Sequence, residues 1–347
     1  MNSNSLESVK VTAAAGKPTH IGDLTLKEAL TCVKYEGMHV PWWHHKKSAE
    51  AFRDMDVRSN DIVLVSGPKM GTTWVTKVLC SLVYSYDDEG NKIPGADVGT
   101  IPNRKGQVYP DACALDAEEA ANDAKDPILC KVQKIFGEFT FQDMLEQPEP
   151  RLFSTHMHTK EHLPSQLFDS DGGRKGKGKM IVVLRNLKDT LCSLHFFHGE
   201  PKDGWDGNEH GPGSFERFLD PVCDTFPFGS SFNFVKSVDE CAAAIGDERT
   251  LVLYYEALKE DLDAQLERIN DFLELPKLTE AKKQAVSDAC TMKSMMSDKL
   301  DKSAQRARKG IIGDWKNYLD EERWAKLDTK FDDELKGVKL AEPLRKY

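Results

Sequence analysis

The segment SGPKMGTTWV, residues 66–75, combines a lysine, a glycine turn and two threonines directly after a run of β-branched residues. A turn between a strand and a helix presents backbone N–H groups, and the helix dipole adds positive potential at the same place. Gly71 lets the backbone approach a ligand, the threonines supply hydroxyls, and Lys69 supplies a point charge. A tight turn with a threonine N-cap would explain the glycine and the threonines, but neither Lys69 nor Trp74. The segment therefore predicts a phosphate-type anion site.

The order of residues separates this loop from the Walker A loop of nucleotide triphosphatases. A Walker A loop has its lysine after the second glycine, followed by a serine or threonine that binds magnesium. Here Lys69 precedes Gly71. The segment GRKGKGKM, residues 173–180, has Walker spacing, but Met180 stands where the hydroxyl residue must be, and the segment precedes its predicted strand. A P-loop kinase or NTPase stays an alternative that a magnesium requirement would reveal.

Three further stretches carry side chains suited to this chemistry. RLFSTHMHTKEHLP puts His156 at the end of a predicted strand, where an imidazole can act as a general base. VVLRNLKDTLCSLHFF ends a strand at Arg185, a residue suited to bidentate phosphate binding, and places Ser193 two turns into a helix. RKGIIGDW supplies a basic triplet at 308–310. Each feature alone has a structural explanation, since histidines are often structural and an arginine can hold a carboxylate of the fold.

Short β-branched runs that alternate with helical patterns must position these residues. The runs at 61–66, 151–155, 180–185 and 250–255 predict buried parallel strands. We expect an α/β fold, a P-loop-like central parallel sheet flanked by helices on both faces, in a single domain. Residues 1–39 are predicted to be a partly disordered N-terminal extension. The domain is predicted over 40–347, with insertions near 87–127, 169–179 and 199–214.

Bulk composition narrows the partners. The 347 residues carry 47 basic and 57 acidic side chains, a net charge of −10, which argues against nucleic-acid binding. The eight cysteines are scattered without a C-x-x-C pair, so we interpret them as buried thiols of a reducing compartment. No signal peptide and no run of 18 apolar residues is present, so we expect a cytoplasmic protein without membrane contact.

Together the four stretches, in this order and spacing, resemble the cytosolic sulfotransferases over the region from about Val40 to beyond Trp315. The resemblance implies transfer of a sulfuryl group from 3'-phosphoadenosine 5'-phosphosulfate (PAPS) to a hydroxyl or amine of a small molecule, with 3'-phosphoadenosine 5'-phosphate (PAP) as product. The resemblance also implies that no metal is required. A non-catalytic nucleotide-binding protein is the remaining alternative.

The family motifs imply donor contacts residue by residue. The P-K-x-G-T-T-W loop maps the 5'-phosphosulfate site onto Lys69, Gly71, Thr72, Thr73 and Trp74. The 3'-phosphate site maps onto Arg185, Ser193, Arg308, Lys309 and Gly310, and the adenine contacts onto Trp74, Tyr255, Thr291 and Met296. The resemblance makes His156 the catalytic base and Lys69 the cation at the leaving phosphate, with Ser193 holding the 3'-phosphate and restraining Lys69.

The sequence departs from the family at three places, the first being Met70, which stands where a small residue is usual in the loop. Ser154 stands where a lysine is usual, two residues before the catalytic histidine. Asp320, Glu321 and Ala325 occupy diagnostic positions of the C-terminal dimer motif, which argues against dimerisation by that route. For the acceptor, the resemblance points to Trp42, Trp43 and Phe197 as lining residues. The density of His44, His45, Lys46 and His195 suggests a polar or anionic acceptor.

Overall fold

The structure is a computed structural model that describes residues 8–9, 32–96, 109–126, 129–130, 139–169, 173, 175–198, 227–297 and 309–347, without the side chains of 8–9, 198 and 296–297. Its strands are β1 (Ser8–Val9), β2 (Cys32–Tyr35), β3 (Met38–Pro41), β4 (Ile62–Ser66), β5 (Leu152–Thr155), β6 (Lys179–Leu184) and β7 (Thr250–Tyr254). Its helices are α1 (Lys46–Asp54), α2 (Thr72–Cys80), α3 (Ala117–Asp123), α4 (Phe141–Leu145), α5 (Leu187–His198), α6 (Ser231–Ile245), α7 (Tyr255–Glu260), α8 (Leu262–Phe272), α9 (Glu280–Ala289), α10 (Met292–Ser297) and α11 (Glu321–Glu334).

Strands β4 to β7 form a parallel sheet in the order β5-β4-β6-β7. Every residue of β4, β5 and β6 is buried, as is typical of a parallel sheet that is covered on both faces. Burial alternates along β7, which closes one edge of the sheet. The four strands coincide with the four β-branched runs, and helices flank the sheet, so the predicted fold class is confirmed.

A buried ion pair fixes two strands at the edge opposite their carboxyl ends. Arg151 donates through Nε to Asp61 Oδ1 (2.8 Å) and through Nη2 to Asp61 Oδ2 (2.5 Å), and both side chains are almost fully buried. Such a forked pair compensates for the desolvation of its two charges only when the geometry is good. The pair holds the beginnings of β4 and β5 side by side, which aligns their carboxyl ends in turn.

A small antiparallel sheet of β1, β2 and β3 lies outside the parallel sheet. Glu36 and Gly37 connect β2 to β3 with φ angles of 45° and 85°, the left-handed pair that matches the twist of a hairpin. The predicted domain start at residue 40 falls inside this hairpin. Among the residues that the structure describes, no helix is long and apolar enough to cross a bilayer.

Candidate active site

The four strands of the parallel sheet deliver the predicted residues to one edge. The Gly67–Gly71 loop follows β4, His156 follows β5, Arg185 follows β6 and Tyr255 follows β7. They open onto a cleft with about 910 Å³ of empty space, including its open mouth. The cleft is lined by Pro68, Lys69, Gly71, Thr72, Thr73, Trp74, Tyr109, His156, Arg185, Ser193, Phe197, Tyr255, Met292, Met295, Lys309, Gly310 and Ile311.

The loop after β4 leads directly into helix α2. Gly71 is the N-cap with φ 110°, and the first intrahelical bond runs from the Val75 N–H to the Gly71 carbonyl (3.0 Å). The N–H groups before Val75 therefore lie outside the helix ladder, at the positive end of the helix dipole. The Thr72 hydroxyl contacts the Ser66 hydroxyl at the end of β4. This arrangement suits an anion held by backbone donors.

A glycine at position 71 is required by its neighbour as well as by its φ angle. A Cβ atom there would lie 2.8 Å from Tyr255 Cδ2, closer than side chains pack. The Tyr255 ring also meets the Trp74 ring edge-on at 5.2 Å and lies under the Arg185 guanidinium at 4.6 Å. Burial is the largest cause of the raised pKa of Tyr255, so its hydroxyl stays protonated.

Arg185 spans two parts of the site. Its Nη1 donates to the Lys69 carbonyl (3.1 Å), which ties the end of β6 to the Gly67–Gly71 loop, the candidate anion loop. Its Nε atom is buried and meets no acceptor within the described chain. A buried guanidinium donor that no protein group satisfies is costly, unless a ligand supplies the acceptor. The Nε donor of Arg185 is thus suited to an anionic ligand.

His156 points its Nδ1 at the Ser66 carbonyl, at 2.6 Å. A carbonyl oxygen only accepts, so Nδ1 carries the hydrogen and Nε2 is the basic nitrogen of the neutral ring. The rings of Tyr109 and Phe228 each lie 5.1 Å from the imidazole. The strand end and two aromatic walls thus define the orientation and tautomer of the His156 imidazole.

Lys69 lies in the left-handed region with φ 64°, and its ammonium stands 4.2 Å above the Phe197 ring. Ser193 and Phe197 are one turn apart on α5, and both line the cleft. An ammonium over an aromatic face gains about 0.5–2 kcal/mol, so this contact holds Lys69 near the α5 wall.

The segment 309–311 closes the cleft opposite the loop. Lys309 is exposed, and its ammonium contacts the Tyr318 hydroxyl (2.7 Å) and Asp314 (3.3 Å). The buried Asp189 accepts the Gly313 N–H (2.7 Å) and the Trp315 N–H (3.0 Å). Asp189 belongs to the stretch that begins with Arg185, so one carboxylate fastens the basic segment to the first turn of α5.

The structure brings together twelve of the residues that the sequence singled out: Lys69, Gly71, Thr72, Thr73, Trp74, His156, Arg185, Ser193, Phe197, Tyr255, Lys309 and Gly310. Thr291 is exposed and caps α10, since its hydroxyl accepts the Ser294 N–H at 3.1 Å. Arg308 and the Met296 side chain lie outside the described residues, as does the insertion predicted near 199–214.

The acceptor expectations fare differently. Trp43 is buried, and neither Trp42 nor Trp43 lines the described cleft, because residues 41–44 form a turn that leads into α1. His44 and His45 face acidic residues inside the protein: His44 Nδ1 lies 3.8 Å from Asp111, and His45 Nε2 lies 3.4 Å from Asp123. These two histidines therefore do not form part of the described mouth of the cleft.

Five residues that line the cleft were not among the predicted site residues: Pro68, Tyr109, Met292, Met295 and Ile311. Pro68, Met292, Met295 and Ile311 are direct neighbours of the predicted residues Lys69, Thr291, Met296 and Gly310, so the motifs themselves signalled them. Tyr109 had no such signal, since it belongs to the insertion predicted near 87–127. Tertiary packing alone brings it against His156.

Comparison with known proteins gives a family match over most of the chain. The family model described as "Sulfotransferase domain" matches residues 59–339. Sulfotransferase 6B1 of Mus musculus is 26% identical over 323 residues, which cover 90% of this chain and 88% of the relative. Sulfotransferase 6B1 of Homo sapiens is 28% identical over 324 residues, with coverages of 90% and 88%.

Solved structures share the fold. The crystal structure of mouse sulfotransferase SULT7A1 complexed with PAP superposes with a TM-score of 0.62 at 22% identity, and covers 91% of this chain and 99% of that one. Retinol dehydratase in complex with androsterone and inactive cofactor PAP gives a TM-score of 0.60 at 19% identity, with coverages of 90% and 91%.

Proposed function

Because this chain belongs to the sulfotransferase family, we propose that it transfers a sulfuryl group from PAPS to a hydroxyl or amine of a small molecule, with His156 as general base. The observation that carries the proposal is the convergence at one sheet edge of a backbone-lined anion loop, a buried arginine and an oriented histidine. Two structurally similar proteins, mouse sulfotransferase SULT7A1 and retinol dehydratase, were solved in complex with PAP. In this chain PAPS is the donor and PAP the product.

The residues present fit such a donor. The Arg185 Nε atom is a buried donor that awaits an acceptor, and the loop N–H groups before Val75 lie outside the helix ladder. Gly310, which also lines the cleft, has φ 63°, a left-handed conformation in which a side chain would be strained. We propose that Arg185, Ser193, Lys309 and Gly310 hold the 3'-phosphate, and that the loop with Lys69 holds the 5' side.

The donor supplies the electrophilic sulfur and a phosphate leaving group. The His156 Nε2 atom takes the proton of the acceptor hydroxyl or amine as the new bond to sulfur forms and the sulfur–oxygen bond to the phosphate breaks. Lys69 and the loop N–H groups stabilise the negative charge that grows on the departing oxygen. Ser66 keeps the histidine in the tautomer with a basic Nε2. Catalysis is thus mainly positioning and electrostatics.

Calorimetric titration with PAP in EDTA tests the donor site, with ATP as comparator. We expect metal-free binding of PAP, weaker binding of ATP, and loss of PAP binding in Arg185→Ala because the buried guanidinium is removed. A preference for Mg-ATP would overturn the proposal and favour the kinase alternative.

Radiolabelled sulfate transfer from PAPS to a panel of hydroxyl and amine acceptors then tests the chemistry. His156→Ala should lower kcat by about 10²- to 10⁴-fold, the usual contribution of a general base, while PAP affinity stays near that of the unmodified protein. A loss far below tenfold would remove His156 from its proposed role.

A further inference from the structure

Asp111 lies two residues after Tyr109, which packs against His156, and none of its described partners is an ammonium or a guanidinium. Asp111 is 2% exposed, in the short turn Pro110–Ala112. Its Oδ1 accepts the Thr155 hydroxyl at 3.1 Å. Burial is the largest cause that raises the pKa of Asp111, to about 6. A carboxylate that is charged at neutral pH and buried in this way is destabilising, so its presence requires a reason.

The nearest histidine does not neutralise Asp111. His44 Nδ1 lies 3.8 Å from Asp111 Oδ2, beyond hydrogen-bonding distance. Burial lowers the pKa of His44 to about 3, and repulsion from His45 and His162 adds to the effect. His44 is therefore neutral at pH 7. The Thr155 hydroxyl is the side-chain donor that the structure gives to Asp111.

Thr155 connects this carboxylate to the general base. It is the last residue of β5, fully buried, and immediately precedes His156. Its Oγ1 donates to Asp111 and accepts the Met157 N–H at 3.0 Å, so it fastens the backbone on both sides of His156. Tyr109, two residues before Asp111, packs against the imidazole at 5.1 Å. One turn thus holds His156 through the backbone and through its ring.

We propose that Asp111 is a positioning residue, which orients His156 for proton transfer by accepting the Thr155 hydroxyl. This inference rests on the proposed role of His156 as general base. Thr155 and Asp111 act together. The Thr155 oxygen accepts the Met157 N–H, so its hydroxyl hydrogen is directed to the Asp111 carboxylate. A displacement of about 1 Å of a catalytic group can cost up to about 100-fold in rate.

A purely structural role of Asp111 can be distinguished from positioning of His156, because a second side chain anchors the same segment. The buried Ser48 hydroxyl of α1 donates to the Cys113 carbonyl at 2.8 Å, two residues after Asp111. This bond ties the turn to α1 without reaching Thr155 or His156. Ser48→Ala therefore loosens the segment in the same place, and serves as the matched control.

The experiment measures kcat, KM for the acceptor and PAP affinity for two conservative pairs. Thr155→Val keeps the shape and loses the hydroxyl, whereas Thr155→Ser keeps the hydroxyl. Asp111→Leu loses the acceptor, whereas Asp111→Asn keeps one carbonyl oxygen. We expect Thr155→Val and Asp111→Leu to lower kcat by about 10- to 100-fold with PAP affinity within about twofold. The serine and asparagine variants should retain kcat within about threefold.

Two further readouts separate positioning from damage. The double variant Asp111→Leu with Thr155→Val should be no slower than the worse single variant, because both remove one interaction. Ser48→Ala should keep kcat within about twofold, even where its unfolding free energy falls as far as that of Thr155→Val. Native thermal unfolding and PAP binding confirm that each variant is folded.

The inference is overturned if folded Thr155→Val keeps kcat within twofold, if Ser48→Ala loses as much kcat as Asp111→Leu, or if the two losses add fully. If one of these results is seen while the unmodified protein transfers sulfate and His156→Ala is inactive, the inference about Asp111 has failed and the proposed function stands. If the unmodified protein transfers no sulfate to any acceptor and does not bind PAP, the proposed function has failed instead.

Discussion

Asp189→Asn is the substitution whose effect on the proposed donor site follows most directly from the contacts in the structure. The two oxygens of Asp189 accept one backbone N–H each, from Gly313 at 2.7 Å and Trp315 at 3.0 Å, and its side chain is buried. An asparagine keeps one oxygen and turns an NH₂ group toward the other N–H. One hydrogen bond is lost, the remaining one no longer goes to a charged group, and one backbone donor is left unsatisfied.

A hydrogen bond to a charged group contributes about 1.5–3 kcal/mol. If the loss falls on docking of the segment that carries Lys309 and Gly310, the Kd for PAP rises about tenfold, with about 100-fold as the ceiling. Calorimetric titration with PAP measures this rise, and Lys309→Ala gives the scale of losing one residue of the segment. Chemical unfolding reports the part of the loss that falls on global stability.

Asp320→Asn is the matched control, because Asp320 also accepts a backbone N–H, that of Arg323 at 2.9 Å, as the N-cap of α11. We expect it to change stability slightly and the Kd for PAP by less than twofold. The reasoning is refuted if folded Asp189→Asn binds PAP within twofold of the unmodified protein while Lys309→Ala weakens binding. In that case the segment is held by other contacts.

Two further predictions follow. Gly71→Ala should weaken PAP binding at least tenfold, because a Cβ would meet Tyr255 at 2.8 Å. Gly37→Ala, with φ 85° and no atom within 4 Å of its Cβ, should cost only the backbone strain of about 1–2 kcal/mol; equal PAP affinity in both variants would contradict the contact. Acidification should destabilise the protein, since burial lowers the pKa of His158 to about 4 against 6.5 in the unfolded chain, so that the unfolded state binds more protons below pH 6.5. Between pH 7.5 and 5 this histidine accounts for about 2 kcal/mol of lost unfolding free energy. Urea unfolding of His158→Gln at the two pH values should show this loss removed, and an unchanged pH dependence would contradict the prediction. Asp111, whose pKa is raised, contributes with the opposite sign in both proteins.

The parallel sheet and most of the cleft could be predicted because both depend on local sequence. A β-branched run is a strand wherever it is covered on both faces, and a residue that follows such a strand lies at the carboxyl edge of the sheet. Thus the residue types at 69–74, 156, 185 and 255 already determined which side chains meet. Their neighbours along the chain, such as Met292 and Ile311, came with them.

The rest depends on contacts distant in sequence. Trp43 and Tyr109 are both aromatic and both buried, yet of the two it is Tyr109 that lines the described cleft. No periodicity distinguishes the two cases, because the surroundings of a single residue in an irregular segment are decided by what packs against it. The link from Asp111 to Thr155 spans 44 positions and leaves no local pattern either.

Ser154 shows how the site is organised around a missing cation. The resemblance placed a lysine at this position, but Ser154 is fully buried in β5, with its hydroxyl 3.2 Å from the Thr76 hydroxyl of α2. The contact between Ser66 and Thr72 makes a second neutral link from the sheet to the same helix. An ammonium at Ser154 would displace a satisfied hydroxyl pair and face the cost of burial in the protein interior.

Neutral hydroxyl pairs therefore hold the anion loop from beneath, while Lys69, Arg185 and Lys309 are the lysine and arginine side chains that line the described cleft. Of these three, Arg185 and Lys309 are proposed to hold the 3'-phosphate, and Lys69 is the cation left for the reacting end. Its ammonium is shared with the face of Phe197, and the loop N–H groups at the start of α2 are the remaining donors at the same place. In the proposed mechanism, charge stabilisation therefore falls to one lysine and the backbone, and the orientation of His156 is correspondingly more important for the rate.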